Sequence, residues 1–202
     1  AEDYELIEQI GILADVELNG AGTLSFGVFY ADDSGLSRSI GYDRGRTTTA
    51  DGGAGNTGEL DNFAIQWTQE AGSTRYHIGA RHLSVGADDT DDEQGFVAGL
   101  AHSFDGGFDI YGEVASFSNV GGSADDALYA TLTGAYTIGN VTLSGGLVHR
   151  DLDSAGETDL ITIGADYEFE SGATLGGGLA RVDEAGTKST IFGVNLIIPL
   201  GV

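Results

Sequence analysis

Residues 128–150, LYATLTGAYTIGNVTLSGGLVHR, alternate apolar with small or polar positions at a period of two on either side of Gly139-Asn140. Successive side chains of a β-strand leave opposite faces, so this period predicts two strands, and the Gly-Asn pair predicts the hairpin turn between them. Leu128, Ala130, Leu132, Gly134, Tyr136 and Ile138 fall on one face, joined across the turn by Val141, Leu143, Gly145 and Leu147. Tyr129, Thr131, Thr133, Ala135, Thr137, Thr142 and Ser144 fall on the other. Each run has about the 9–11 residues that a tilted strand needs to cross a bilayer.

The same texture runs through the chain. Alternating runs carry Ile10 to Leu18, Leu24 to Tyr30, the stretch LSRSIGYD at 36–43, Phe63 to Trp67, Tyr76 to Ala80, Phe96 to Phe104 and Phe108 to Val114. Beyond the hairpin they carry Ile161 to Phe169, Leu175 to Leu179 and Phe192 to Ile198. Short turns at 32–35, 71–73, 105–107, 139–140 and 171–172 take turns with longer connections at 44–59, 86–94, 118–126, 151–157 and 183–188. This reads as an all-β protein, an antiparallel up-and-down transmembrane β-barrel of about twelve strands, with residues 1–202 as a single domain and both termini on the short-turn side.

Alternation alone does not say which face is outside, because a soluble barrel or sandwich has the same period. Soluble sheets dress their wet face and guard their edges with lysine. Here there is one lysine in 202 residues, and the less apolar face is mostly Gly, Ala, Ser and Thr. Small groups suit a crowded lumen, and the recurrence of Tyr30, Tyr42, Phe63, Phe96, Phe104, Phe108, Tyr136, Tyr167 and Phe169 near strand ends suits an interfacial aromatic girdle.

Composition excludes several classes. A net charge of −24, from 32 acids against 8 Lys and Arg, repels nucleic acid. The absence of cysteine removes disulfides, thiolate metal sites and thiol nucleophiles. No apolar run approaches the roughly 18 residues of a spanning helix. An Ala-Glu-Asp start suits a mature chain whose signal has been removed.

The stretches YTIGNVTLSGGLVHR (136–150), YEFESGATLGGGLARVD (167–183) and STIFGVNLIIPL (189–200) resemble the Gly-rich strands of Gram-negative porins, in particular the alphaproteobacterial type. The likeness is one of texture and covers most of residues 10–200. It implies a bacterial outer-membrane location, a water-filled pore and passive diffusion of small hydrophilic solutes, with no cofactor. The chain departs from the pattern in being shorter than general porins and in ending Pro199-Leu200-Gly201-Val202 where porins finish on an aromatic.

If the apolar face meets lipid, the opposite register points inward. The expected pore-lining residues are then Asp15, Glu17, Gln66, Arg75, His77, Arg81, Asp109, Glu113, Arg150, Asp166 and Glu168. Arg75, His77 and Arg81 share one strand face while the acids come from other strands, so the two signs can face each other across a constriction. The blander reading is that they pair and fill a polar interior. The loop at 44–59, with Arg44 and Arg46, either folds inward or sits outside. His149 and Arg181 share the register of apolar neighbours, which calls for contact with lipid headgroups or a bulge that shifts the face.

The acid clusters at 88–93 and Asp151-Leu152-Asp153 invite divalent cations, but a charge run on a loop is more often simply solvated, and no metal-ligand spacing is present. His82-Leu83-Ser84 has the spacing of an outer-membrane lipid hydrolase, without an orienting acid or amide in view. The sequence therefore favours a channel for small hydrophilic solutes or ions, cation-preferring because acid is in excess, in contact with outer-membrane lipids and carrying no metal or catalytic residue. The alternative is a barrel with a blocked lumen and a structural or adhesive role through its acidic loops. Oligomeric state is not legible.

Overall fold

The computed structural model describes residues 9–31, 38–39, 42–43, 53–87 and 89–199. Strands dominate: β1 Gln9–Glu17, β2 Thr23–Ala31, β3 Arg38–Ser39, β4 Tyr42–Asp43, β5 Asn62–Ala71, β6 Thr74–Leu83, β7 Glu93–Phe104, β8 Phe108–Ser118, β9 Ala127–Ile138, β10 Val141–Leu152, β11 Gly156–Glu168, β12 Thr174–Glu184 and β13 Thr187–Ile197. One three-residue 3₁₀ turn, Val120–Gly122, lies between β8 and β9. No helix among the described residues is long and apolar enough to cross a membrane, a statement that bears on helices alone.

Eleven strands form one sheet in the order β1-β2-β5-β6-β7-β8-β9-β10-β11-β12-β13. This is the up-and-down order that short turns impose, because strands joined by two or three residues must run antiparallel. The β9–β10 turn uses Gly139 at φ 59°, a left-handed conformation that glycine adopts without strain. β1 and β13 stand at the two ends of this order.

Of the run at 36–43 the described residues form β3 and β4, which pair with each other, Arg38 opposite Asp43 and Ser39 opposite Tyr42, while β2 pairs with β5. Among the described residues the sheet has eleven strands, beside an expected count of about twelve. The turn at 32–35, the arginines at 44 and 46, residue 88 and residues 200–202 lie outside the described residues. Connections expected to be longer loops at 151–157 and 183–188 tighten, because β10 continues to Leu152, β11 starts at Gly156, β12 continues to Glu184 and β13 starts at Thr187.

The chain divides into two compact units. The first comprises residues 1–69, 77–97 and 116–126, and the second residues 70–76, 98–115 and 127–202. In the first, Ile12 pairs with Val28, Ala14 with Phe26 and Val16 with Leu24, and the next strand adds Phe63 opposite Val28, Ile65 opposite Phe26 and Trp67 opposite Leu24. In the second, Leu132 pairs with Leu147, Leu147 with Ile161, and Leu179 lies between Ile163 and Phe192. Within each unit the pairings put these apolar positions on one face.

That apolar face is the exposed one. Leu132 is 47% and Leu143 48% exposed, and Ile163 reaches 60% and Val194 65%. Along β11 the exposed Ile161, Ile163 and Ala165 alternate with half-buried Leu160, Thr162 and Gly164. A water-soluble sheet has the opposite pattern, since burying apolar surface at roughly 25 cal/mol per Å² is its main driving force. Soluble monomers rarely expose a contiguous apolar patch beyond a few hundred Å². A surface of this kind is satisfied by hydrocarbon, and a backbone paired in strands is one of the two forms in which a chain can cross hydrocarbon.

Candidate functional site

The register opposite the apolar face collects hydroxyls, amides and charges on a floor of small residues. In the first unit Asp15 and Gln66 stand on either side of Ser25, and Glu17 and Thr68 on either side of Thr23. Glu17 accepts a 3.0 Å hydrogen bond from the Thr23 hydroxyl, and Gln66 Nε2 lies 3.4 Å from Thr68 Oγ1. A groove of about 280 Å³ runs over this face, lined by Leu13, Ser25, Gly27, Gln66, Arg81, Val97 and Phe117 among others.

Arg81 pairs with an acid of the neighbouring strand β7. Its Nη2 lies 2.5 Å and its Nε 2.8 Å from Oε1 of Glu93, which is 3% exposed. Glu93 Oε2 takes the Gly121 N–H at 2.8 Å, and the Arg81 guanidinium lies 4.3 Å from the centre of the Phe117 ring. A Cβ on Gly95 would collide with that ring, so the glycine gives Phe117 its place. His77 is half-buried on the same strand.

In the second unit Tyr111 donates to Glu113 at 2.7 Å, and Arg75 is close enough to act electrostatically on the Tyr111 hydroxyl. Asp109, Tyr111, Thr133, Ser144 and Thr162 line a groove of about 450 Å³. Asp166 lies in a row with Thr142, Gly176 and Asn195, and Glu168 is opposite Thr174. A Cβ at Gly176 would collide with both Asp166 and Asn195, so the missing side chain lets a carboxylate and an amide lean over the same spot from two strands. Arg150 stands opposite Tyr129 and Thr158, with Nη2 3.4 Å from the Thr158 hydroxyl.

Glu93, Tyr111 and Asn195 join this register although they were not among the expected lining residues. Parity carries the signal for each: Glu93 is in step with Gly95 and Val97, Tyr111 with Asp109 and Glu113, and Asn195 lies between Val194 and Leu196. Glu93 was hidden by its place at the end of an acid run.

Two acids of that run, Asp89 and Asp92, accept from backbone donors. Asp89 accepts from Gly86 N–H at 2.7 Å and Gly53 N–H at 3.3 Å, and Asp92 from Val85 N–H at 2.7 Å. Asn119 donates to the Asp92 carbonyl at 3.0 Å. Asn62, fully buried, donates to the carbonyls of Phe29 at 2.8 Å and Gly55 at 2.9 Å and accepts from Ser84 N–H at 2.7 Å. Connections around residues 53–61, 84–92 and 119–126 are thereby fastened to one another within the first unit. Among the described residues no group of three or more His, Cys, Asp or Glu side chains has the arrangement to hold a metal ion. The Ser84 hydroxyl donates to the Asp61 carbonyl at 3.1 Å, while His82 stacks on Phe63 at 5.0 Å with Nε2 3.7 Å from Asp92.

The exceptions on the apolar register are also resolved. His149 and Arg181 sit in unbroken ladders, His149 opposite Ala130 and Asp159, and Arg181 opposite Ile161 and Thr190, so no bulge moves them to the other face.

Apolar residues outward, polar residues on the opposite register and eleven strands in sequence order define a transmembrane β-barrel protein. Residues 17–187 match the Gram-negative porin model, and the chain belongs to that family, whose place is the outer membrane. Solved structures agree in fold. A porin refined at 1.8 Å superposes with a TM-score of 0.63 at 17% identity, over 93% of this chain and 61% of that one. The anion-selective porin from Comamonas acidovorans gives 0.61 at 15% identity, over 86% and 48%. The outer membrane channel DcaP of Acinetobacter baumannii gives 0.69 at 12% identity, over 92% and 60%. The chain thus spans between about half and three-fifths of the length of these structures. No curated protein matches it.

Proposed function

We propose that the chain forms a passive outer-membrane channel for small hydrophilic solutes and ions, and that it prefers cations. The observation that carries this reading is the inverted exposure of the sheet: lipid-suited Leu, Ile, Phe and Val outward, and a hydroxyl-rich, charged register opposite. Diffusion through such a register needs no chemical step.

The sign of the preference follows from charge. Asp15, Glu17, Asp109, Glu113, Asp166 and Glu168 are expected on the lumen side against Arg75, Arg81 and Arg150. Arg81 is already matched by Glu93, which leaves the acids further in excess. A low-dielectric wall lined by one sign focuses the field and concentrates the opposite ion. One structural neighbour is described as anion-selective, so the likeness in fold gives the cation sign no support and the reading rests on the charges of this chain. In a planar bilayer under a salt gradient the reversal potential should take the sign of cation preference. Asp166→Asn with Glu168→Gln should move it toward zero. Anion preference in the unmodified protein would defeat the proposal.

A further inference from the structure

On the outward face of the second unit the apolar band has a sharp upper border, and Arg181 stands on it. Toward the short turns its neighbours on β11, β12 and β13 are Ile163, Leu179 and Phe192, the last 70% exposed. Toward the other end they are Asp159, Asp183 and Lys188. At its own level stand Ile161 and Thr190. The ladders are continuous, so the guanidinium cannot turn inward by a shift of register.

The charged row above Arg181 is matched internally. Asp159 holds His149 Nδ1 at 2.9 Å, and Asp183 holds Lys188 Nζ at 3.2 Å. Arg181 is exposed and has neither a hydrogen bond nor an ion pair among the described residues. Among the described residues a cation therefore stands unmatched at the border between hydrocarbon and water. A second cation, Lys188, is on the adjacent strand at a diagonal position, a spacing of about 7–8 Å between residues that long side chains can bridge.

We propose that Arg181 is the phosphate contact for a membrane lipid lying on the outer face of β11–β13. Its acyl chains lie along Ile163, Leu179 and Phe192 while its phosphate takes the guanidinium. The planar fork of arginine offers paired N–H donors that match two phosphate oxygens, and the contact strengthens where water is scarce. The Thr190 hydroxyl and the Lys188 ammonium border the same spot. A free anion would gain the charge contact but would leave the apolar strip uncovered, which is why the lipid is the occupant. The proposal does not depend on whether the barrel conducts.

The test is native mass spectrometry of the folded protein released from detergent micelles doped with phosphatidic acid. Diacylglycerol of the same chains and inorganic phosphate serve as comparison probes. Heat-modifiable migration on gels first establishes that each variant is folded. The unmodified protein should retain phosphatidic acid at least about tenfold more tightly than diacylglycerol, a difference of about 1.4 kcal/mol. Arg181→Ala should fall to the diacylglycerol level, Arg181→Lys should lie between, and millimolar inorganic phosphate should not displace the lipid. If Arg181→Ala does not fold, Arg181→Gln takes its place with the same expectation. Equal retention of phosphatidic acid by the alanine or glutamine variant and the unmodified protein would overturn the proposal. So would equal retention of the two lipids, or displacement by inorganic phosphate, which would mark an anion site indifferent to acyl chains.

Discussion

Asn62 shows how much one side chain can hold. It makes two donor bonds and one acceptor bond to three separate segments, in a place where water cannot substitute. Leaving such groups unsatisfied costs about 1–3 kcal/mol each. Asn62→Ala should accordingly lower stability by about 3 kcal/mol or more, read as a shift of the denaturant midpoint in detergent. The Arg81–Glu93 pair makes a different prediction. Both partners are largely buried, so Glu93→Ala, which strands a buried cation, should cost about 3–5 kcal/mol. Replacing both by apolar residues, Arg81→Met with Glu93→Leu, should recover most of that loss, because the desolvation of two charges then disappears together. Neither residue announced its role in the sequence. Asn62 precedes an apolar run and reads as a turn residue, and its partners lie as far as 33 positions away. Glu93 reads as one more acid in a solvated run, and only the strand parity it shares with Gly95 and Val97 points elsewhere.

At the scale of the strand, legibility was high wherever a face was committed to hydrocarbon. A slip of one residue would turn every Ile and Leu of β11 to the other side, so register there is strongly specified and the alternation can be read directly. The described residues of the stretch at 36–43 form two two-residue strands that pair with each other. The loops expected at 151–157 and 183–188 misled because acids and threonines there continue the ladder past the apolar band, as Asp151 opposite Glu157 and Glu184 opposite Thr187 show. The account of the strand faces yields a paired prediction. Ile163→Arg, on the exposed apolar register near the middle of β11, should destabilise the folded barrel in a bilayer by about 2–4 kcal/mol. Thr162→Arg, one position away on the opposite register, should leave stability nearly unchanged and alter conductance. Urea titration in lipid vesicles measures both.

For the molecule as a whole, alternation, the scarcity of lysine and the rhythm of turns were enough to reach a transmembrane barrel, since all three follow from covering one face with lipid. Selectivity was less legible, because net charge says nothing about which acids meet each other, backbone donors or the lumen; Asp89 and Asp92 turn out to hold loops. The central claim is that lipid covers the Leu, Ile and Phe register and water the other. The chain has no cysteine, so single cysteines placed at positions 161, 162, 163 and 164 are the only thiols in their variants. With each variant reconstituted in lipid vesicles, reaction with a charged, membrane-impermeant thiol reagent should be fast at 162 and 164 and at least about tenfold slower at 161 and 163, as water access alternates with strand parity. Fast reaction at 161 and 163 with protection at 162 and 164 would contradict the account.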